Sequence, residues 1–170
     1  VVVIGGGGGT SVLAADDLDA AGLVLPALLP ETQEALAKVT HEAGTSVRNP
    51  VDSSALWDEK AFETTLSACA SASNVDVLLF HTSFGSGSPV RRGRATHGRN
   101  QRQVEGFRRM QEETGKPVVV VIRTPTSAGG FTQSLEFQEM CWREGIATYP
   151  SIARAAQALA RRWIAAGQGC

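Results

Sequence analysis

Long apolar runs are missing from this 170-residue sequence. No stretch approaches the ~20 residues that a membrane-spanning helix needs. A charged-then-apolar secretory start is also missing. Cysteine is scarce: Cys69, Cys141 and Cys170 are odd in number and show no CxxC spacing. That argues against a disulfide framework and a cysteine zinc site, and makes a reducing cytoplasm the expected compartment. Neither sign of charge is in excess: the formal net charge is -1, which implies no general attraction to nucleic acid or anionic membrane. With 42 % hydrophobic residues, intrinsic disorder is excluded. The 18 glycines have no period, which excludes a collagen-like chain. An initiating Met is absent, and the chain opens on the strand-like Val1-Val2-Val3-Ile4. We therefore expect a fragment of a longer protein, or a chain stripped of its disordered ends.

What is present fits one α/β domain with a full core, spanning residues 1–170. Short apolar runs alternate with helical patterns. Val1–Ile4, Leu23–Leu25, Val75–Phe80, Val118–Ile122 and Ile146–Tyr149 read as five strands. Val47–Val51, broken by Pro50, reads as a connection. Ser11, Ala14, Leu18 and Ala21 share one helical face, and Gly22 stands where that helix would stop. Further helices are expected from Pro30 to about Val39, Trp57 to Ala72, about Asn100 to Thr114, and Phe131 to Arg143, with a last one capped by Ser151. The alternation predicts a flavodoxin-like, doubly wound parallel sheet with helices on both faces.

Gly5–Gly9 is the most informative local feature. Five glycines between a buried strand and a helix are costly in chain entropy. They suit a cradle of backbone N–H groups at a helix N-terminus, where the dipole favours an anion such as phosphate. The candidate cradle is Gly6, Gly7, Gly8, Gly9, Thr10 and Ser11. A tight turn without ligand is the plainer alternative. The Rossmann fingerprint fails because Thr10 stands at its last position and Leu23–Leu29 carries no acid. The Walker loop fails because no lysine follows the glycines. The cradle thus reads as one without a cation of its own, suited to an anion delivered by a partner.

The run Gly6–Asp16, Gly-Gly-Gly-Gly-Thr-Ser-Val-Leu-Ala-Ala-Asp, followed by Ala21–Leu28, resembles the NDP-forming acyl-CoA synthetases. Glu31–Leu36, Arg48-Asn49-Pro50-Val51-Asp52, Asn74–Leu79, Gly115-Lys116-Pro117-Val118 and Glu144–Tyr149 follow as similar landmarks in the family order. The family includes succinyl-CoA synthetase and the ADP-forming acetyl-CoA synthetases. Its members make acyl-CoA from a carboxylic acid, CoA and ATP or GTP, and a mobile phosphohistidine carries the phosphoryl group. The resemblance implies the second flavodoxin-like ligase domain, inactive by itself and holding no cofactor. It implies CoA, ATP or GTP and Mg for the full enzyme. The implied partners are CoA-binding, phosphohistidine-bearing and ATP-grasp domains or subunits, with no nucleic acid and no membrane. It also implies that the glycine-rich helix start helps hold the phosphohistidine, and that Asn49 and Asp52 lie near the same crevice. The glycine run is longer than the family's usual two or three. His81–Arg102 is arginine-rich where a shorter loop is expected.

Other residues carry two readings each. His81 closes a strand at the side where α/β sites form, and is either catalytic or a structural histidine with its nitrogens satisfied. His97 reads as solvated, and His41 as a helix C-terminal residue. Arg91, Arg92, Arg94, Arg99, Arg102, Arg108 and Arg109, opposed within the segment by Glu105, form either an anion clamp or a solvated contact surface. Ser127-Ala128-Gly129-Gly130 either adds donors to the crevice or forms a flexible turn. Trp57, Trp142 and Trp163 read as core or domain-interface residues. Asp16, Asp17 and Asp19 read as a solvated helix face. The nucleophile elbow fails at Gly85–Pro89, where proline replaces the last glycine. The competing function is a free-standing flavodoxin-like module for a small phosphorylated ligand, or a regulatory domain. Flavin fits poorly, because the first loop is not Ser/Thr-rich.

Overall fold

The computed structural model describes residues 1–40, 45–85 and 94–167. Its centre is a parallel sheet of β1 (Val2–Gly5), β2 (Val51–Asp52), β3 (Leu78–Ser83), β4 (Val118–Arg123) and β5 (Ala147–Tyr149). The strand order is β2-β1-β3-β4-β5, the flavodoxin-like doubly wound order. Chain direction across the sheet reverses between β1 and β3, which opens a crevice at their carboxyl ends. Around the sheet lie α1 (Gly8–Ala20), α2 (Pro30–Ala37), α3 (Glu59–Ser71), α4 (Arg94–Thr114), α5 (Ala128–Arg143) and α6 (Ile152–Gly167).

Alternate side chains of each strand supply two separate cores, as a sheet covered on both faces requires. Val2, Ile4, Leu78, Phe80, Val118 and Val120 pack against α2, α3, α4 and α5. Phe62, Phe80 and Phe107 meet there edge to face or tilted, with centroids 5.1–5.9 Å apart. Val1, Val3, Val77, Leu79, Val119 and Val121 pack against α1 and α6 through Ala14, Leu18, Ile152, Ala155 and Leu159. Each such side chain taken from water contributes ~1.5–3 kcal/mol.

Two expectations about the strands need correction. Leu23–Leu25 is not a strand; Val24 is 74 % exposed, and its carbonyl accepts from the Val1 ammonium at 2.8 Å. The second strand is instead Val51–Asp52, read from the sequence as a connection. It pairs Ile4 with Val51 and Gly5 with Asp52. The Asn49 side chain extends this short ladder: Oδ1 accepts from Val3 N at 3.0 Å, and Nδ2 donates to Val1 O at 2.8 Å and Pro26 O at 3.1 Å. An amide side chain thereby stands in for one residue of backbone pairing. β3 also begins later than expected, at Leu78. The helix expected over Trp57–Ala72 starts later: Trp57 closes a 3-10 helix, Ser54–Trp57, and α3 follows, capped by Asp58 through the Ala61 amide at 3.0 Å.

Other landmarks hold the fold's joints. Lys116 Nζ donates to Ala70 O and Ala72 O, both at 2.7 Å, and so satisfies carbonyls at the end of α3. Gly115 and Gly145 take positive φ, 69° and 70°, where α4 and α5 stop. Among the described residues, no helix is long and apolar enough to cross a membrane.

Candidate functional site

A cavity of about 490 Å³ opens at the carboxyl ends of β1, β2, β3 and β4. Gly6–Gly8 form one wall, Asp52 and Ser53 another, and His81 and Arg123 stand at the sheet end. Trp57 and Gln103 also line the cavity.

The glycines divide by what each position demands. Gly7, the N-cap of α1, has φ 114°, a region that L side chains rarely adopt. Gly5 pairs with His81 across the ladder, and a Cβ there would stand 2.2–2.4 Å from three atoms of the imidazole ring, well inside van der Waals contact. A Cβ on Gly8 would come 3.3 Å from Asp52 Oδ2, whereas Gly9 has nothing within 4 Å. So Gly5 is a glycine because of a histidine, and only part of the run serves the helix start. The amides of Thr10 and Ser11 already bond Gly7 O at 2.9 and 3.2 Å. The Gly7 amide donates to Asp52 Oδ1 at 2.7 Å. Gly8 and Gly9 keep the first-turn amides for which a helix has no internal acceptor.

The cradle has a cation after all. Arg123, at the end of β4, places Nη1 2.9 Å from Thr10 Oγ1 and Nη2 3.2 Å from Ser83 Oγ. Its guanidinium thus ties the start of α1 to the end of β3, and among the described residues its Nε has no hydrogen-bond partner. Sequence reasoning missed it because it sought a lysine next to the glycines. The available signal was a charged residue closing an otherwise apolar parallel strand, on the edge where α/β folds build sites.

His81 is 2 % exposed, yet among the described residues neither ring nitrogen has a hydrogen-bond partner. The reading of a histidine with satisfied nitrogens is therefore corrected. Burial pushes its pKa down to about 4, Arg123 adds to the depression, and Asp52 opposes it. At neutral pH the ring is uncharged and offers one donor and one acceptor.

The other expected site residues are not brought together here. Thr10, Ser11 and Gly9 stand beside the cavity but do not line it. Ser11 Oγ is buried without a partner. Asn49 is spent on β1, at the opposite end of the β1 ladder from the glycines. Gly129 and Gly130 also lie outside the lining. The Gly130 amide donates to Ser127 Oγ at 3.1 Å, and a Cβ on Gly130 would meet Phe84 O at 2.8 Å. That glycine lets the start of α5 approach the chain after β3.

Three arginines of α4 pair with acids, on α4 itself and elsewhere in the fold. Arg102 pairs with Glu59 at 3.0 Å, Arg109 with Glu63, and Arg108 with Glu112 at 2.7 Å and Glu144 at 3.3 Å. These exposed pairs are worth ~0–1 kcal/mol each. None of the three arginines lines the cavity, so they form a paired surface rather than an anion clamp. Arg99 differs: its guanidinium lies 4.4 Å from the Trp57 ring centroid. His97 is exposed on α4. His41, Arg91, Arg92, Cys170 and most of the Gly85–Pro89 motif fall outside the described residues, as does the Arg94 side chain. Trp57, Trp142 and Trp163 are 42, 61 and 42 % exposed, so none is a core residue. Cys69 and Cys141 are buried free thiols, both pushed by burial up to about 12. Among the described residues, no group of three or more His, Cys, Asp or Glu could hold a metal ion.

No family model and no curated protein matches this chain. Solved structures do. PH0766 from Pyrococcus horikoshii OT3 is similar over 94 % of this chain and 34 % of its own, with 26 % identity and a TM-score of 0.74. The likeness is one of fold. The dinucleotide forming acetyl-coenzyme A synthetase 1 of Ca. Korarchaeum cryptofilum is similar in its apo form and in its complex with phosphate and ADP. In both it shows 21 % identity and a TM-score of 0.62, over 94 % of this chain and 31 % of that one. The chain thus spans about a third of the length of these proteins.

Proposed function

We propose that this chain is a ligase domain of an NDP-forming acyl-CoA synthetase, the second flavodoxin-like one. In this reading its glycine-rich helix start receives the phosphoryl group of a phosphohistidine brought by a partner domain. The observation that carries the reading is the convergence of the α1 start and Arg123 on one cavity at the sheet's switch point. The fold likeness to an acetyl-CoA synthetase, over a third of that chain, supports a domain that works beside others.

The chemistry assigned to the residues follows from their donors and charges. A phosphoryl group entering at Gly6–Gly8 meets the first-turn amide of Gly8, the positive end of the α1 dipole and the Arg123 guanidinium. The neutral His81 ring adds a donor without adding charge. An imidazole phosphorylated on one nitrogen carries an N–H on the other when the ring is protonated, and the Asp52 carboxylate favours that form, with Oδ2 as the acceptor since Oδ1 already holds Gly7. Asp52 also repels a bare anion, which favours a phosphoryl group that arrives on an imidazole. The chain supplies binding and orientation, while the bonds to phosphorus change on groups of the partner domains. CoA, ATP or GTP, and Mg belong to those domains in this reading, and the compartment is the cytoplasm.

The test is the ATP-, CoA- and acid-dependent formation of acyl-CoA and ADP by the polypeptide that carries this segment. Arg123→Ala and Gly8→Asp should each lower turnover by ~10²-fold, the usual cost of removing one preorganised donor to a charged group. Wild-type turnover in both variants would refute the reading.

A further inference from the structure

We infer that the cavity also takes a nucleotide, with its phosphate at Gly6–Gly8 and Arg123, its ribose at Asp52 and its base against Trp57. The inference rests on the proposed function for its phosphate end only. That end is more than a helix start, because the buried His81 lines it with both nitrogens unpartnered among the described residues.

Three observations extend the site beyond a phosphate. First, the sequence-based exclusion of a nucleotide fingerprint used the wrong second strand. With β2 at Val51–Asp52, an acid does stand at the carboxyl end of the strand beside β1, level with Gly5. That is where an Asp or Glu accepts a ribose hydroxyl in dinucleotide-binding folds. Second, Trp57 lines the cavity and is 42 % exposed. The 3-10 helix that carries it starts beside the glycines: a Cβ on Gly6 would stand 3.5 Å from Ser53 O. From Ser53 to Trp57 the backbone advances four residues at ~2 Å each, about 8 Å, a separation on the scale of a sugar ring. Third, the indole is held ready. Arg99 stacks on it from outside the cavity lining, and the cation–π contact fixes its plane. Gln103, 7 % exposed, lines the same wall with an amide able to meet a base edge. A volume of about 490 Å³ lies within the range of small-ligand pockets.

The test is calorimetric titration of the 170-residue chain with AMP, adenosine and inorganic phosphate. AMP should bind about tenfold more tightly than phosphate, the scale of one base–aromatic stack. Trp57→Ala should bring AMP to the affinity of phosphate and leave phosphate unchanged, and Trp57→Phe should retain most of the advantage. Arg123→Ala should weaken AMP and phosphate alike. Equal binding of AMP and phosphate, or an AMP advantage that survives Trp57→Ala, would overturn the nucleotide site while leaving the phosphate cradle standing. Failure of both AMP and phosphate to bind would overturn the nucleotide site, whereas failure of phosphohistidine to bind would overturn the phosphoryl cradle itself.

Discussion

Acidification should destabilise this protein through His81 more than through any ordinary surface histidine. In the unfolded chain the imidazole titrates near 6.5, and in the folded chain near 4. The unfolded state therefore takes up the proton first as pH falls. The stability held by the neutral, buried ring is fully present above pH 6.5 and is lost progressively between there and about 4. The gap between those values corresponds to about 3 kcal/mol, a large share of a typical domain's stability of 5–15 kcal/mol. The causes are visible: a ring 2 % exposed at the sheet end, with the Arg123 guanidinium raising the cost of a second positive charge. Urea unfolding at pH 7, 5.5 and 4 measures the effect, with His81→Gln as the non-titrating reference. The wild type should lose about 3 kcal/mol more than the variant between pH 7 and 4. Parallel pH dependences would refute the account of a neutral His81 held by burial beside Arg123.

The remaining predictions concern the loop and its supports. Gly5→Ala should cost at least ~1–3 kcal/mol by overpacking against the His81 ring, and His81→Ala in the same chain should relieve much of it in a double-mutant cycle read by thermal unfolding. Gly7→Ala should destabilise because of its φ of 114°, whereas Gly9→Ala, with open space around it, should stabilise by about 0.4–1 kcal/mol; equal effects at the two positions would contradict the division of the glycine run. Asn49→Ala removes three hydrogen bonds to Val1, Val3 and Pro26 and should cost about 2–4 kcal/mol in denaturant unfolding, without altering phosphate binding.

The parts of the fold legible in the sequence were those carried by continuous or periodic apolar residues. Val118–Ile122 has no polar interruption, and Ser11, Ala14 and Leu18 keep helical spacing, so β4 and the buried face of α1 follow directly. β2 was not legible because two residues have no period, and its ladder is continued by the Asn49 side chain rather than by backbone. Leu23–Leu25 misled because its apolar residues partly cover the second core from outside the sheet. Several motifs that carry the resemblance make joints: Asn49, Lys116 and Gly145 each answer a backbone need. The candidate site was half legible. Gly6–Gly8, Asp52 and His81 were named from the sequence and line one cavity. Arg123 was not, since its partner Thr10 is 113 residues away and only the sheet order brings them together.

The central claim is that Gly6–Gly8 and Arg123 receive a phosphoryl group carried on an imidazole. The most direct measurement is an amide NMR titration of the 170-residue chain with phosphohistidine, with histidine and inorganic phosphate as controls. The account predicts shifts centred on the amides of Gly6–Gly9, with the Arg123 side chain and Asp52 responding. It also predicts tighter binding of phosphohistidine than of phosphate, because Asp52 accepts the N–H of the protonated phosphoimidazole, and loss of the response in Arg123→Ala. Shifts confined to other surfaces, or no response at the glycine amides at saturating phosphohistidine, would contradict it.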